Sequence, residues 1–272
     1  WETAYTDLAT AYADAGAYRG QVWMKGGFYP VPQDIQVLSN VEVIGGFAGD
    51  ETEASAADPV AHPVTLYGDN GRNDYWKPDG AEPSVKEGVY LGSTFNDAPY
   101  RTVTKFLGTG GYAEDTLYCF KDVDVGATNA VFRGLTFACF RNCAFYVNCP
   151  NSVNRTKMVG CRFLACNTQM LGECAAVRFV DAAVEMDGCT FDLNSHAAYL
   201  GTAEPSPHGV LTNVVRNCTF RRNHTIGGNA AGLHTIAYAG VMIENCVFED
   251  NYSQTGILSP ALRCTSSYAN VP

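Results

Sequence analysis

"VVRNCTFRRNHTIGGNAAGLHT", Val214 to Thr235, packs an Asn-Cys, a Phe-x-x-Asn and a Gly-Gly into a span too short for two ordinary secondary-structure elements. The start of this stretch recurs along the chain. Five hexads align: FRGLTF (132–137), MVGCRF (158–163), MDGCTF (186–191), VRNCTF (215–220) and IENCVF (243–248). They begin 26, 28, 29 and 28 residues apart. A fixed period in this range marks a repeat architecture and outranks any local propensity.

Each hexad column has a physical reading. The first position is always apolar: Phe132, Met158, Met186, Val215, Ile243. The fourth is Leu135 and then Cys161, Cys189, Cys218 and Cys246. The sixth is Phe137, Phe163, Phe191, Phe220 and Phe248. The third is only Gly or Asn (Gly134, Gly160, Gly188, Asn217, Asn245), the residues that accept a left-handed backbone at low cost. Alternation with one such residue inserted describes a strand that bends and continues. A helix would need apolar spacings of three and four over a longer run.

Three copies then turn on the same device. Asn194, Asn223 and Asn251 each follow the hexad Phe by three residues, and Cys166 takes that column in the copy at Phe163. A second apolar run follows each turn: 143–147, 174–180, 196–201, 229–237 and 256–262. Short strands repeating at about 28 residues predict an all-β parallel β-helix, each coil pairing with the next at roughly 4.8 Å. The Phe, Cys and Asn columns become ladders along its axis, and stacking makes the core.

The 272 residues form one solenoid domain in this reading. Residues 132–264 supply the regular coils. Residues 20–29, 40–49 and 64–69, each a strand closed by Gly or Asp, supply the opening ones. Residues 1–16 are predicted to hold a short capping helix: Leu8, Ala9, Tyr12 and Ala13 share a face and Thr6-Asp7 can cap its start. Residues 70–100, rich in Gly, Pro, Asp and Asn, read as a long excursion. The last coil lacks an evident cap, so a further domain, an anchor or a neighbouring subunit is expected to cover it.

Net charge is −10. Residues 1–80 hold 12 acids and 4 bases, net −8; the rest hold 16 and 14, net −2. This balance disfavours nucleic-acid binding, which needs a basic face. No apolar run is long enough to cross a membrane, and no basic-apolar leader is present. Of the eleven cysteines, four sit in the hexad column as small buried hydrophobes. Cys139-x3-Cys143 has no second pair with His at zinc-finger spacing, so no metal is expected, nor any other cofactor. Cys149 and Cys174 fall 12 and 11 residues after their copies' Phe and are the disulfide candidate. The sequons at Asn154, Asn217, Asn223 and Asn251 mostly reuse Asn residues that the repeat explains.

The Phe-x-x-Asn repeats, with Gly227-Gly228-Asn229-Ala230 just after one of them, resemble the paired motifs of polymorphic outer-membrane proteins. The opening, through VWMKGGFYP (22–30) and NVEVIGGFAGDET (40–52), is similar to the start of large bacterial surface and secreted β-helix proteins. The resemblance implies a right-handed parallel β-helix, exported, displayed on a bacterial envelope and often adhesive. It implies no catalytic residues, because those motifs are structural.

Two functions follow as expectations. The first is a surface or secreted binding and structural module. Its partner would be a glycan, a host or cell-surface protein, or another copy through the open C-terminal coil. Tyr75, Trp76, Tyr90 and Tyr100, in or beside the excursion, are its candidate ligand contacts. The second is a polysaccharide lyase or glycosidase, which needs an acid and a base. Its candidates are Asp181, near Arg178, Glu185 and Asp187, with His196 and His224 after adjacent Asn turns; His208 and His234 add to the count. The second hexad column has mixed signs (Arg133, Asp187, Arg216, Glu244), which favours ladder salt bridges over a catalytic set. Arg216, Arg221 and Arg222 form a further anion-binding candidate. The balance favours binding over catalysis.

Overall fold

In a computed structural model, the described residues are 1, 4–70, 75–78, 103–106, 116–166, 175–201, 211–225, 230–236, 240–253 and 260–265. Residues 75–78, 103–106, 224, 253 and 265 are described through their backbone only. The chain winds into a right-handed parallel β-helix whose three sheets each hold seven strands. The first sheet runs Gln21–Lys25, Glu42–Phe47, Thr128–Arg133, Asn154–Val159, Ala182–Asp187, Thr212–Arg216 and Gly240–Glu244. The second runs Gly27–Pro30, Val64–Tyr67, Leu135–Ala138, Arg162–Leu164, Thr190–Asp192, Thr219–Arg221 and Val247–Glu249. The third runs Ile35–Gln36, Tyr118–Val123, Cys143–Asn148, Val177–Val180, Ala198–Gly201, Leu233–Ile236 and Leu262–Thr265.

The hexad spans the corner between the first two sheets. Its third residue is left-handed in all five copies, with φ from +52° at Asn245 to +64° at Gly188. The sixth residues stack in register: Phe137, Phe163, Phe191, Phe220 and Phe248. Their ring centroids lie 5.2, 4.7, 4.7 and 4.8 Å apart, with planes within 11° of parallel. Burying each ring contributes about 1.5–3 kcal/mol.

The fourth column is bound together by sulfur. Cys161 Sγ donates to Phe132 O at 3.4 Å, Cys189 to Met158 O at 3.6 Å, Cys218 to Met186 O at 3.7 Å and Cys246 to Val215 O at 3.5 Å. Each thiol thus reaches the first hexad residue of the coil before it. The Asn column works the same way with amides. Asn194, Asn223 and Asn251 donate to the Phe carbonyls of the preceding coil, at 3.0, 3.1 and 2.8 Å. They also chain to one another, Asn194 to Asn223 at 3.0 Å and Asn223 to Asn251 at 2.9 Å. Cys166 substitutes in this column, its Sγ 3.6 Å from Phe137 O and its N–H on Asn194 Oδ1 at 2.9 Å.

The helix starts where the Thr6-Asp7 cap places it and continues two residues past Gly16. It runs Leu8–Tyr18, because Asp7 is the N-cap and takes the Thr10 N–H at 3.0 Å. It ends at Arg19, whose left-handed backbone (φ 53°) closes onto Ala15 O. Leu8, Tyr12 and Ala15 enter the same core as the coils. The Tyr12 ring lies 5.2 Å from Phe120, and its hydroxyl accepts the Leu38 N–H at 3.1 Å. The helix therefore plugs the first coil.

The excursion from the solenoid extends beyond Tyr100. The coil is rejoined at Thr116, whose N–H reaches Gly68 O at 2.9 Å. Between them, Tyr75–Pro78 and Val103–Phe106 form an antiparallel ribbon. The Cys149–Cys174 bridge is not formed. Cys149 carries a free, buried thiol that faces back to Asp122 O at 3.9 Å, and Cys174 lies outside the described residues. Burial, aided by the Asp122 charge, pushes the Cys149 thiol up to about 11.

Candidate functional site

Two of the three catalytic candidates, Asp181 and His196, sit at corners. Asp181 directly follows the strand Val177–Val180 and is left-handed, φ 51°, with its N–H on Gly201 O at 3.1 Å. His196 precedes the strand Ala198–Gly201, is buried, and is also left-handed, φ 66°. Its Nε2 hydrogen-bonds Thr225 Oγ1. The two residues therefore sit at opposite ends of the third-sheet strands, six register positions or roughly 20 Å apart at about 3.3 Å per residue. An acid and a base at that separation do not share one glycosidic bond. His224 lies on a short strand, His224–Thr225, paired with Tyr252–Ser253. Among the ligand candidates, Tyr75 and Trp76 lie on the antiparallel ribbon opposite Phe106 and Lys105, while Tyr90 and Tyr100, like His208, lie outside the described residues. Among the described residues no group of His, Cys, Asp and Glu could hold a metal ion.

The other charged candidates pair within the ladders. Glu185 bonds Lys157 at 2.9 Å and Arg216 at 3.6 Å, one coil to either side. Asp187 takes the Asn217 amide at 2.8 Å. The Arg216, Arg221 and Arg222 group is split. Arg221 and Arg222, joined by Arg162, close on the fully buried carboxylate of Asp192 at 2.9, 2.6 and 3.3 Å. Such a buried charge is held by its partners and is a structural device.

A different assembly stands out on the outer face of the third sheet. Register places Gln36, Lys121, Tyr146, Arg178, Tyr199, His234 and Arg263 in one row, one residue per coil. The row crosses all seven coils, about 29 Å at roughly 4.8 Å per step. It contains no acid, in a chain of net charge −10. Its cations and rings interleave. The Arg178 guanidinium lies 4.8 Å from the Tyr199 ring centre and 5.8 Å from that of Tyr146. Lys121 Nζ lies 5.4 Å over Tyr118, whose ring packs 4.8 Å from Tyr146. Tyr199 meets His234 edge-on at 5.1 Å.

This geometry fixes the Arg178 guanidinium between two rings. A ring quadrupole attracts and orients a guanidinium laid over its face. Lys121, Tyr146, Arg178 and Arg263 are half-buried, whereas Tyr199 and His234 are buried. Burial, then the Arg263 charge and that of His196, lowers His234 to about 4, so it is neutral near pH 7. The row therefore sets Lys and Arg side chains among flat rings, of which Tyr146 is half-buried and Tyr199 and His234 are buried.

Only Arg178 and His234 of this row were singled out by sequence, as neighbours of an acid–base set. The third-sheet strands lie at uneven distances from the hexad, so their register is hidden until the coils are stacked. Compared with known proteins, the chain matches no family model, no curated protein and no solved structure.

Proposed function

We propose that this chain is an exported bacterial surface module that binds an extended, anionic glycan along the third sheet. The single observation that carries this reading is the acid-free row in which Lys121, Arg178 and Arg263 share one outward register line with Tyr146, Tyr199 and His234. Sugar rings stack on flat aromatic faces, and uronate or sulfate groups pair with guanidinium and ammonium. One residue per coil gives a linear polymer a linear template. Export and surface display rest on the resemblance of the coil motifs to polymorphic outer-membrane proteins. Buried thiols such as Cys119, Cys161, Cys189 and Cys218 are compatible with an oxidising medium, since oxidation needs access.

The test is a panel of acidic and neutral polysaccharides scored for retention and for bond cleavage. Retention of acidic polymers, weakening with salt, is expected. Arg178→Gln should lower that affinity about tenfold, near 1.4 kcal/mol, with the fold intact. Equal retention of neutral and acidic polymers sinks the reading. New reducing ends or unsaturated products would restore the lyase or hydrolase reading.

A further inference from the structure

The first coil carries a second recognition feature, remote from that row in composition and charge. Its strand Gln21–Lys25 is the end strand of the first sheet; among the described residues its one strand partner is Glu42–Phe47, and its Lys25 carbonyl takes the Tyr29 hydroxyl at 2.7 Å. A groove of about 990 Å³ lies between this strand and the segment leading into the capping helix. All five strand residues line it, including inward Val22 and Met24 and outward Gln21, Trp23 and Lys25. Residues of both faces can line one groove only if it follows the strand's edge.

The surroundings show what would enter. All four exposed aromatic side chains among the described residues, Trp1, Tyr5, Tyr18 and Phe28, belong to this end of the molecule, and the first three line the groove. Asp7, Asp14 and Glu51 line it too, against one base, Lys25. Asp7 is partly offset by the helix it caps. Asp14 accepts the Tyr5 hydroxyl. Glu51 takes the N–H groups of Gly49 and Asp50 at 2.8 and 3.1 Å, and that of Ala48. The field is that of an acidic end, net −8 over residues 1–80.

We propose that this groove receives an extended, basic segment of a partner polypeptide, added to Gln21–Lys25 as an eighth strand of the first sheet. Backbone bonds to the open edge supply affinity. Asp14 and Glu51 select Lys or Arg, and the exposed rings cover the aliphatic stems of those side chains. Open edges in stable proteins are covered or blunted. Here the helix covers the core, and the groove leaves the edge reachable.

The test titrates the intact chain with a short peptide of alternating Lys and Val, following tryptophan emission and amide exchange at 21–25. Saturable binding that weakens with salt is expected, with slowed exchange across those residues. A Glu/Val peptide should not bind, and N-methylation at alternate amides, which removes the strand bonds, should lower affinity by about tenfold or more. Asp14→Lys, on an exposed helix position, should also weaken binding, while Arg178→Gln should leave it unchanged. Equal binding by the N-methylated or the acidic peptide overturns the proposal, as does a basic peptide that fails to saturate. Arg178→Gln impairing peptide and polysaccharide alike also overturns it, since the two sites would then be one.

Discussion

The sixth and seventh coils carry the same hexad but bury it differently. Phe220 and Phe248 stack 4.8 Å apart and 5° from parallel, as closely as Phe191 and Phe220 inside the solenoid at 4.7 Å and 4°. Yet Val215, Cys218 and Phe220 are at most 1 % exposed, while Ile243, Cys246 and Phe248 are half-buried and Met242 and Val247 stand 53 % and 51 % exposed. A coil takes its shape from the ladder beneath it and its burial from the coil above. At the other end, the Leu8–Tyr18 helix supplies that cover, and Val22 and Met24 are buried at 8 % and 5 %. Geometry and stability are thus separable in this fold, one propagating along the axis and the other needing both neighbours.

The sharpest way to break this comparison is to remove one ring from each coil. Phe191→Ala should cost about 3–5 kcal/mol in urea unfolding, because the cavity is closed on both sides. Phe248→Ala should cost roughly 1–2 kcal/mol, since its ring already meets water. Equal losses would mean that the last coil is as supported as the interior.

The Asn column gives the next largest contrast. Asn223→Ala removes the amide bonds to Phe191 O and Asn251 and the acceptor for Asn194, inside a dry core. About 2–3 kcal/mol should be lost. Asn251→Ala, half-buried, should lose nearer 1 kcal/mol. A smaller loss at Asn223 would show that water replaces the ladder.

Two left-handed positions sharpen the picture at about 1 kcal/mol. Gly188 has φ +64°, and an added Cβ would meet nothing closer than Gly160 N at 3.9 Å. Gly188→Ala should therefore cost only the backbone term, about 1–2 kcal/mol. Asp250, exposed at φ +51° in the last coil, should gain up to about 1 kcal/mol on replacement by Gly. Thermal or urea unfolding of the pair reads both signs.

The smallest effect concerns protons. His234 has its pKa lowered from 6.5 to about 4 by burial and then by Arg263 of the last coil and by His196. The unfolded chain therefore binds the proton more readily than the native one. Stability from this group is full above about pH 6.5 and declines as pH falls towards 4. His234→Gln should flatten that part of the pH–stability curve, and an unchanged slope would assign it to other groups.

Much of the solenoid was legible because its ladders repeat in one dimension. The Gly/Asn column named its left-handed corners, and Cys166 read correctly as a member of the Asn column. A second set of left-handed corners was not legible. Cys139, Ala165, Leu193, Arg222 and Asp250 all have φ between 51° and 58°, though none is Gly or Asn. There the next residue, bonded into the ladder, fixes the backbone, so the sequence shows no preference. The candidate site was hidden for a related reason. Tyr146, Arg178, Tyr199, His234 and Arg263 follow their hexad Phe by 9, 15, 8, 14 and 15 residues. The corner between the second and third sheets varies in length, and only the pairing register aligns the row. Asp181 and His196 looked catalytic because acids and histidines in turns do. Their backbone angles show them at corners.

The cysteine column has a further consequence. From Cys161 to Cys218 each thiol is buried and tied to the coil before it, and Cys246 is tied but only half-covered. The chain thus contains its own set of chemical timers. If the solenoid unzips from its less-covered end, a thiol-trapping reagent should label the already exposed Cys264 at once, and then, within the column, Cys246, Cys218, Cys189 and Cys161 in turn. The order of labelling would read out the direction of unravelling, one coil per mark.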